Sequence, residues 1–144
     1  MIAVDTHVLV QAHRRDGPWH DVANEIVRKL AEGRAPWAIP WPVLHEFIAV
    51  VTHAQIWDPP TPLSVALAQV SAWTASPSVQ LLSETSDHWQ LLAGLIARGQ
   101  VRGTATHDAR VAAICLGHGV AELWTFDRDF SRFPQLKTRN PLLA

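Results

Sequence analysis

The chain has 144 residues and a mass of 15.9 kDa, the size of one domain able to bury most of the surface its unfolded form exposes. Apolar residues make up 48% and charged residues 17%, which excludes a disordered chain, and the single cysteine, Cys115, excludes an internal disulfide and points to a reducing compartment. Twelve Lys and Arg stand against 13 Asp and Glu, a net charge of -1, so the sum speaks against a strongly basic nucleic-acid binder.

In chain order, Ile2–Val4 is a short apolar run closed by Asp5 and predicts a buried strand. Thr6–His13 predicts a turn into a short helix. Val22, Ala23, Ile26, Val27 and Leu30 recur at helical spacing until Gly33 stops the helix. Residues 37–39 predict a short strand, and Val43, Leu44, Phe47, Ile48, Val50 and Val51 a second helical stripe. Residues 53–62, with Asp58-Pro59-Pro60-Thr61-Pro62 at their centre, predict a loop. Residues 63–73 read as helix, Val79–Leu82 as strand, 87–98 and 107–116 as helices, 122–125 as strand, and the tail from Lys137 as a last short strand. Short apolar strands alternating with helices predict one α/β domain over residues 1–144 with a central, mainly parallel sheet. No apolar run approaches the ~18–20 residues that span a bilayer, and MIAVDTHVLVQAHRR lacks the charge order and cleavage site of a signal peptide. The expected location is the cytoplasm.

In parallel sheets, ligands bind outside the carboxyl ends of the strands. Asp5 closes the first predicted strand, Asp127 follows strand 122–125, and Asp129 lies two residues on. Asp108 opens the helix 107–116, and Glu46 lies on the helix after Pro42, about 120° from the centre of its apolar stripe. Each has a plain structural reading. Asp5 fits a turn or helix cap, Asp108 a first-turn carboxylate facing the helix dipole, Asp127-Arg128-Asp129 a polar turn, and Glu46 a solvated helix residue or a cleft wall. Read together, they are carboxylates that repel one another unless a cation joins them. Oxygen-only ligation selects hard ions such as Mg²⁺ or Mn²⁺.

These residues, in this order, resemble the PIN-domain family and specifically the VapC toxins of bacterial toxin–antitoxin pairs, over nearly the whole chain. MIAVDTHVLV resembles the first motif, with Asp5 as the first metal carboxylate and Thr6 beside it. Glu46, after WPVLH, matches the second acidic position, and Asp108 in THDARVAAICLGHGV the third. LWTFDRDFSRFPQL resembles the closing motif, with Thr125 and Asp127 as its pair and Asp129 as an accessory acid. The resemblance implies a three-layer α/β/α fold and Mg²⁺- or Mn²⁺-dependent RNA cleavage by Asp5, Glu46, Asp108 and Asp127. It further implies Thr6 and Thr125 as orienting hydroxyls, a cognate antitoxin partner and a homodimer. Arg110, Arg128, His107 and Trp41 are candidate contacts to substrate or antitoxin. His7 departs from the Asn or Ser that related sequences often carry.

Two alternatives belong to other classes. One is a catalytically silent RNA-binding or regulatory module, which the presence of all four acids weakens. The other is an aspartyl phosphatase, whose D-x-D pair belongs after the first strand, whereas the pair here is Asp127/Asp129. A zinc site of the H-E-x-x-H type fails because Ala49 stands where the second histidine belongs. With four acids committed to metal, the balance of -1 becomes +3, and seven of the 12 basic residues fall between 98 and 139, around the last two acidic motifs. The near-neutral sum therefore allows an acidic pocket with a basic surround.

Overall fold

Five strands pair in parallel in the order β3-β2-β1-β4-β5, where β1 is Ile2–Val4, β2 Trp37–Pro40, β3 Val79–Leu82, β4 Glu122–Trp124 and β5 Thr138–Arg139. The structure is a computed structural model and describes residues 1–143. Six helices connect the strands: α1 (Thr6–His13), α2 (His20–Glu32), α3 (Trp41–Val51), α4 (Leu63–Thr74), α5 (His88–Gly99) and α6 (Thr106–Gly117). The expected α/β architecture is therefore present, with its predicted elements in their predicted order.

The central strands show why the sheet is sandwiched. Ala3 and Val4 on β1, and Trp37, Ala38 and Ile39 on β2, are all 0% exposed. Successive residues of a strand point to opposite faces, so both faces are covered. The helices form two packed sets, α1 with α2 and α3 and then α3 with α4, and separately α5 with α6. The edge strands differ. β3 alternates in burial and β5 is exposed at both residues, as suits strands with a single neighbour.

Register sets the functional rim. Ile2, Ala3 and Val4 pair with Glu122, Leu123 and Trp124, so Asp5 and Thr125 leave adjacent strands side by side. The Asp5 amide donates to the Trp124 carbonyl at 3.0 Å, extending the ladder into the corner. β2 passes directly into α3, with Pro40 as the N-cap residue and Pro42 in the first turn, where a missing amide hydrogen costs nothing. Gly103, at φ 62, makes the turn that leads through a 3-10 turn (Gly103–Ala105) into α6.

The segment after β4 reads in sequence as a polar turn and folds as a 3-10 turn, Arg128–Arg132. Its anchors are Phe130 and Phe133, each 1% exposed, packed edge-on with ring centroids 6.1 Å apart. The predicted loop 53–62 is pinned by a buried network. Arg14 donates to Thr61 Oγ1 (3.1 Å), forms a two-bond pair with Asp16, and lies 4.7 Å over the Trp57 ring. Among the described residues, no helix is long and apolar enough to cross a membrane.

Candidate active site

Asp5 occupies the N-cap position of α1 but its side chain does not cap the helix. Instead Asp5 Oδ2 accepts a hydrogen bond of 2.8 Å from Thr125 Oγ1, across 120 residues of chain. The same hydroxyl oxygen accepts from the Asp127 amide at 3.0 Å. Thr125 thus ties the ends of β1 and β4 together and fixes where Asp127 begins. Asp127 Oδ1 then accepts from the Asp129 amide at 2.8 Å and caps the 3-10 turn. The plain reading of Asp127-Arg128-Asp129 as a turn is therefore correct for the backbone, and the turn aims two carboxylates at the same place.

Asp108, in the first turn of α6, meets them there. One carboxylate oxygen from each of Asp108, Asp127 and Asp129 lies within 4.8 Å of the others. A helix-capping carboxylate has its pKa lowered by the dipole. Asp108 behaves in the opposite way. Burial, and after it the charges of Asp127, Asp5, Glu46 and Asp129, push it up to about 6. Asp5, only 6% exposed, is also raised, by burial, against the lowering influence of the Thr125 hydroxyl and the Thr6 backbone. Four carboxylates whose charges are felt at Asp108 form one electrostatic unit, which a cation would stabilise and which bare chain destabilises.

Donor chemistry fits a hard divalent ion: the cluster is carboxylate oxygen, with no cysteine and no histidine among its three members. Thr6, 2% exposed beside Asp5, carries a buried hydroxyl with no partner among the described residues. An orphaned buried hydroxyl costs free energy unless a ligand or water satisfies it.

The remaining sequence candidates surround this centre. Glu46 is exposed on α3 and lines a cleft of about 530 Å³ whose other wall is α6, with His107, Asp108 and Arg110. The cleft-wall reading of Glu46 is the one the structure places. It does not put Glu46 within the tight group of three. Arg110 is held by Glu84, at 2.6 Å, a partner no sequence motif signals because the pair joins α6 to the loop after β3. Arg128 lines a second cleft of about 350 Å³ with Thr125, Asp127 and Asn140. Trp41 is exposed on α3, one turn before His45, which lines the first cleft and carried no sequence signal beyond its failed zinc motif. A larger cleft of about 630 Å³ lies away from the carboxylates, around Arg14 and Thr61, and its His13, Arg14, Thr61 and Gln69 side chains are bonded to one another.

Of the seven basic residues between 98 and 139, Arg110 pairs with Glu84 and Lys137 with Glu122. The other five, Arg98, Arg102, Arg128, Arg132 and Arg139, have no carboxylate partner among the described residues.

Thr125→Val tests the link between the strands. It keeps the volume and removes both hydrogen bonds, leaving the Asp5 carboxylate without its buried donor. The expected result is a fall in catalytic rate of about ten- to a hundredfold, with most of the rate restored in Thr125→Ser. Equal rates for the valine variant and the parent would show that the hydroxyl positions nothing.

Comparison with known proteins agrees with this architecture. The PIN domain family model matches residues 2–136. Ribonuclease VapC48 of Mycobacterium tuberculosis is 31% identical over 137 residues, covering 95% of this chain and 94% of that protein. Ribonuclease VapC43 of the same organism is 34% identical over 142 residues, covering 99% and 96%. Among solved structures, Mycobacterium tuberculosis VapC20, described as a Sarcin-Ricin loop cleaving toxin, superposes with a TM-score of 0.68 at 20% identity, covering 91% of this chain and 93% of that one. VapBC2 from Rickettsia felis, bound to a promoter DNA fragment, gives 0.67 at 19% identity over 97% and 98%. At that identity the superpositions speak for the fold. With the family model spanning almost the whole chain and relatives above 30% identity along nearly their full length, the chain belongs to the PIN-domain family, within its VapC group.

Proposed function

We propose that this protein is an endoribonuclease toxin that uses Mg²⁺ or Mn²⁺ and is held silent by a cognate antitoxin. The observation that carries the proposal is the convergence of Asp108, Asp127 and Asp129 beside the buried Asp5, with Asp108 pushed up to about 6. Such a cluster is a poor stabiliser of the fold and a good hard-cation site. The ribonuclease names of relatives at 31% and 34% identity supply the reaction class.

Asp5, Asp108 and Asp127, with Glu46 across the cleft and Asp129 beside Asp127, would hold the ion. When bound, the ion supplies Lewis acidity toward water and the phosphate. The chain's own groups do the rest. Thr125 holds Asp5 and Asp127 at fixed separation, so the carboxylates need not reorganise as charge develops. Thr6 places a free buried hydroxyl next to Asp5, where it orients a ligand or water. Arg128, which lines a cleft with Asp127 and has no carboxylate partner among the described residues, attracts the RNA backbone toward an otherwise acidic rim. No side-chain nucleophile is required, and Cys115 is buried with its thiol pushed up to about 12, which removes it as one.

Cleavage of RNA by the purified protein should stop in EDTA and return on addition of Mg²⁺ or Mn²⁺. Asp5→Asn should lose the activity under all of these conditions. Cleavage that persists undiminished in EDTA, or an Asp5→Asn protein as fast as the parent, would overturn the assignment. An antitoxin and a second copy of this chain are the partners that VapC membership suggests. Sedimentation of the protein alone and with the product of a neighbouring small gene would test both.

A further inference from the structure

We propose that the cleft between α3 and α6 is a nucleobase subsite for the RNA substrate, with Trp41 and His45 as its stacking platform. This rests on the ribonuclease reading of the carboxylate centre and specifies how the strand lies beside it.

The platform is set by helix geometry. Trp41 and His45 stand one turn apart on α3, with ring centroids 6.3 Å apart and planes tilted by 31°. The other aromatic pairs of this fold meet nearly edge-on, at 69° to 87°, and are packed into the interior. Trp41 is 38% exposed, whereas Trp37 is 0% and Trp73 6% exposed, and Trp57 lies beneath Arg14. His45 lines the cleft, and Trp41, which does not line it, adjoins it through His45, so the pair offers a flat, partly open surface at the cleft's edge on which a base can stack.

Electrostatics select a base over a phosphate here. Each wall presents an adjacent histidine and carboxylate: His45 and Glu46 on α3, His107 and Asp108 on α6. Among the described residues the only Lys or Arg lining the cleft is Arg110, and Glu84 already neutralises it at 2.6 Å. With Glu46 and Asp108 turned to the ion, the cleft has no free basic side chain to hold a further phosphate. A neutral planar ring needs no such partner, and the histidine nitrogens offer hydrogen bonds to its edge. The volume of about 530 Å³ is within the range of small-ligand pockets. Asp108 belongs both to this cleft and to the carboxylate group, so a base seated here lies next to the phosphate being cut.

The test compares Trp41→Ala, Trp41→Phe and, as a control on an exposed tryptophan elsewhere, Trp89→Ala. Each protein is assayed with Mn²⁺ on single-stranded RNA, measuring KM and kcat separately and mapping the cut ends. Trp41→Ala should raise KM by about fivefold to a hundredfold with kcat little changed, and should alter which base is preferred beside the cut. Trp41→Phe should restore most of the KM, and Trp89→Ala should match the parent. Parental KM and parental cut sites in Trp41→Ala, with the parent active, would overturn the subsite and leave the ribonuclease assignment standing. A parent protein that cuts no RNA with either cation overturns the assignment itself, and the subsite with it.

Discussion

Asp108→Asn protein is expected to cleave RNA about a thousandfold more slowly than the parent and, in EDTA, to be the more stable of the two. Both effects come from one geometric fact. Asp108 shares a space of 4.8 Å with Asp127 and Asp129 and feels Asp5 and Glu46 as well. Its carboxyl is raised from 3.8 to about 6 by burial and by those charges. Below pH 3.8 the group is protonated folded and unfolded, and it contributes nothing. As pH rises from 3.8 toward 6 the unfolded chain releases the proton while the folded protein retains it, so stability falls. Above about 6 the full cost persists. Allowing for its partial exposure, that cost is about 2 kcal/mol. Asparagine removes it. Thermal unfolding in EDTA should therefore show the variant melting several degrees above the parent at pH 7.5 and level with it near pH 3.5. Mn²⁺ should raise the parent's midpoint and leave the variant's nearly unchanged. A variant that is less stable than the parent in EDTA at pH 7.5 would mean that the carboxylates do not repel as placed.

The second large effect belongs to the core. Phe47→Ala should destabilise the protein by about 3–5 kcal/mol and lower the melting midpoint by about 10–20 °C, read by calorimetry or urea titration. Phe47 is 0% exposed and meets the Trp73 ring edge-on at 4.8 Å and the His13 ring at 5.3 Å. It therefore joins α3 to both α4 and the end of α1. Glu46 is its neighbour in sequence, and the stripe that Phe47 anchors sets which way Glu46 faces. Where the variant still folds, at low temperature, it should also lose cleavage rate. A loss of stability under about 1 kcal/mol would show that the three aromatic rings are not packed as a unit.

The elements were legible because each carries its own punctuation. Asp5 ends an apolar run, Gly33 stops α2, and the proline cluster at 58–62 marks a loop. Of the two glycines that could stop α6, it is Gly119, at φ 66, that turns the chain after Gly117 closes the helix. Element starts shift by a residue or two where no polar cap marks them, as at Thr106, which begins α6 one residue before the expected start. The acidic residues were legible as a set through their positions at strand ends and through the family resemblance. What no local pattern carries is distance. Nothing near Arg110 in the chain announces Glu84, 26 residues away. Nothing near Asp5 announces that its carboxylate accepts from Thr125 and not from the helix it precedes. The grouping of Asp129 with Asp108 depends on two buried phenylalanines after it, which fix a turn that its polar sequence describes only as polar. His45 illustrates the same limit. It is ordinary in sequence and significant only because α6 supplies the facing wall.

The hydrogen bond between Asp5 and Thr125 has a consequence for the birth of the molecule. β1 leaves the ribosome long before its β4 neighbour, because Asp5 and Thr125 stand 120 residues apart. During translation the chain can build α1 to α4 around β1 and β2, because those contacts are local. It cannot assemble its carboxylate centre until residues 122–129 have emerged. A centre wired in this way stays unassembled through most of the chain's own translation.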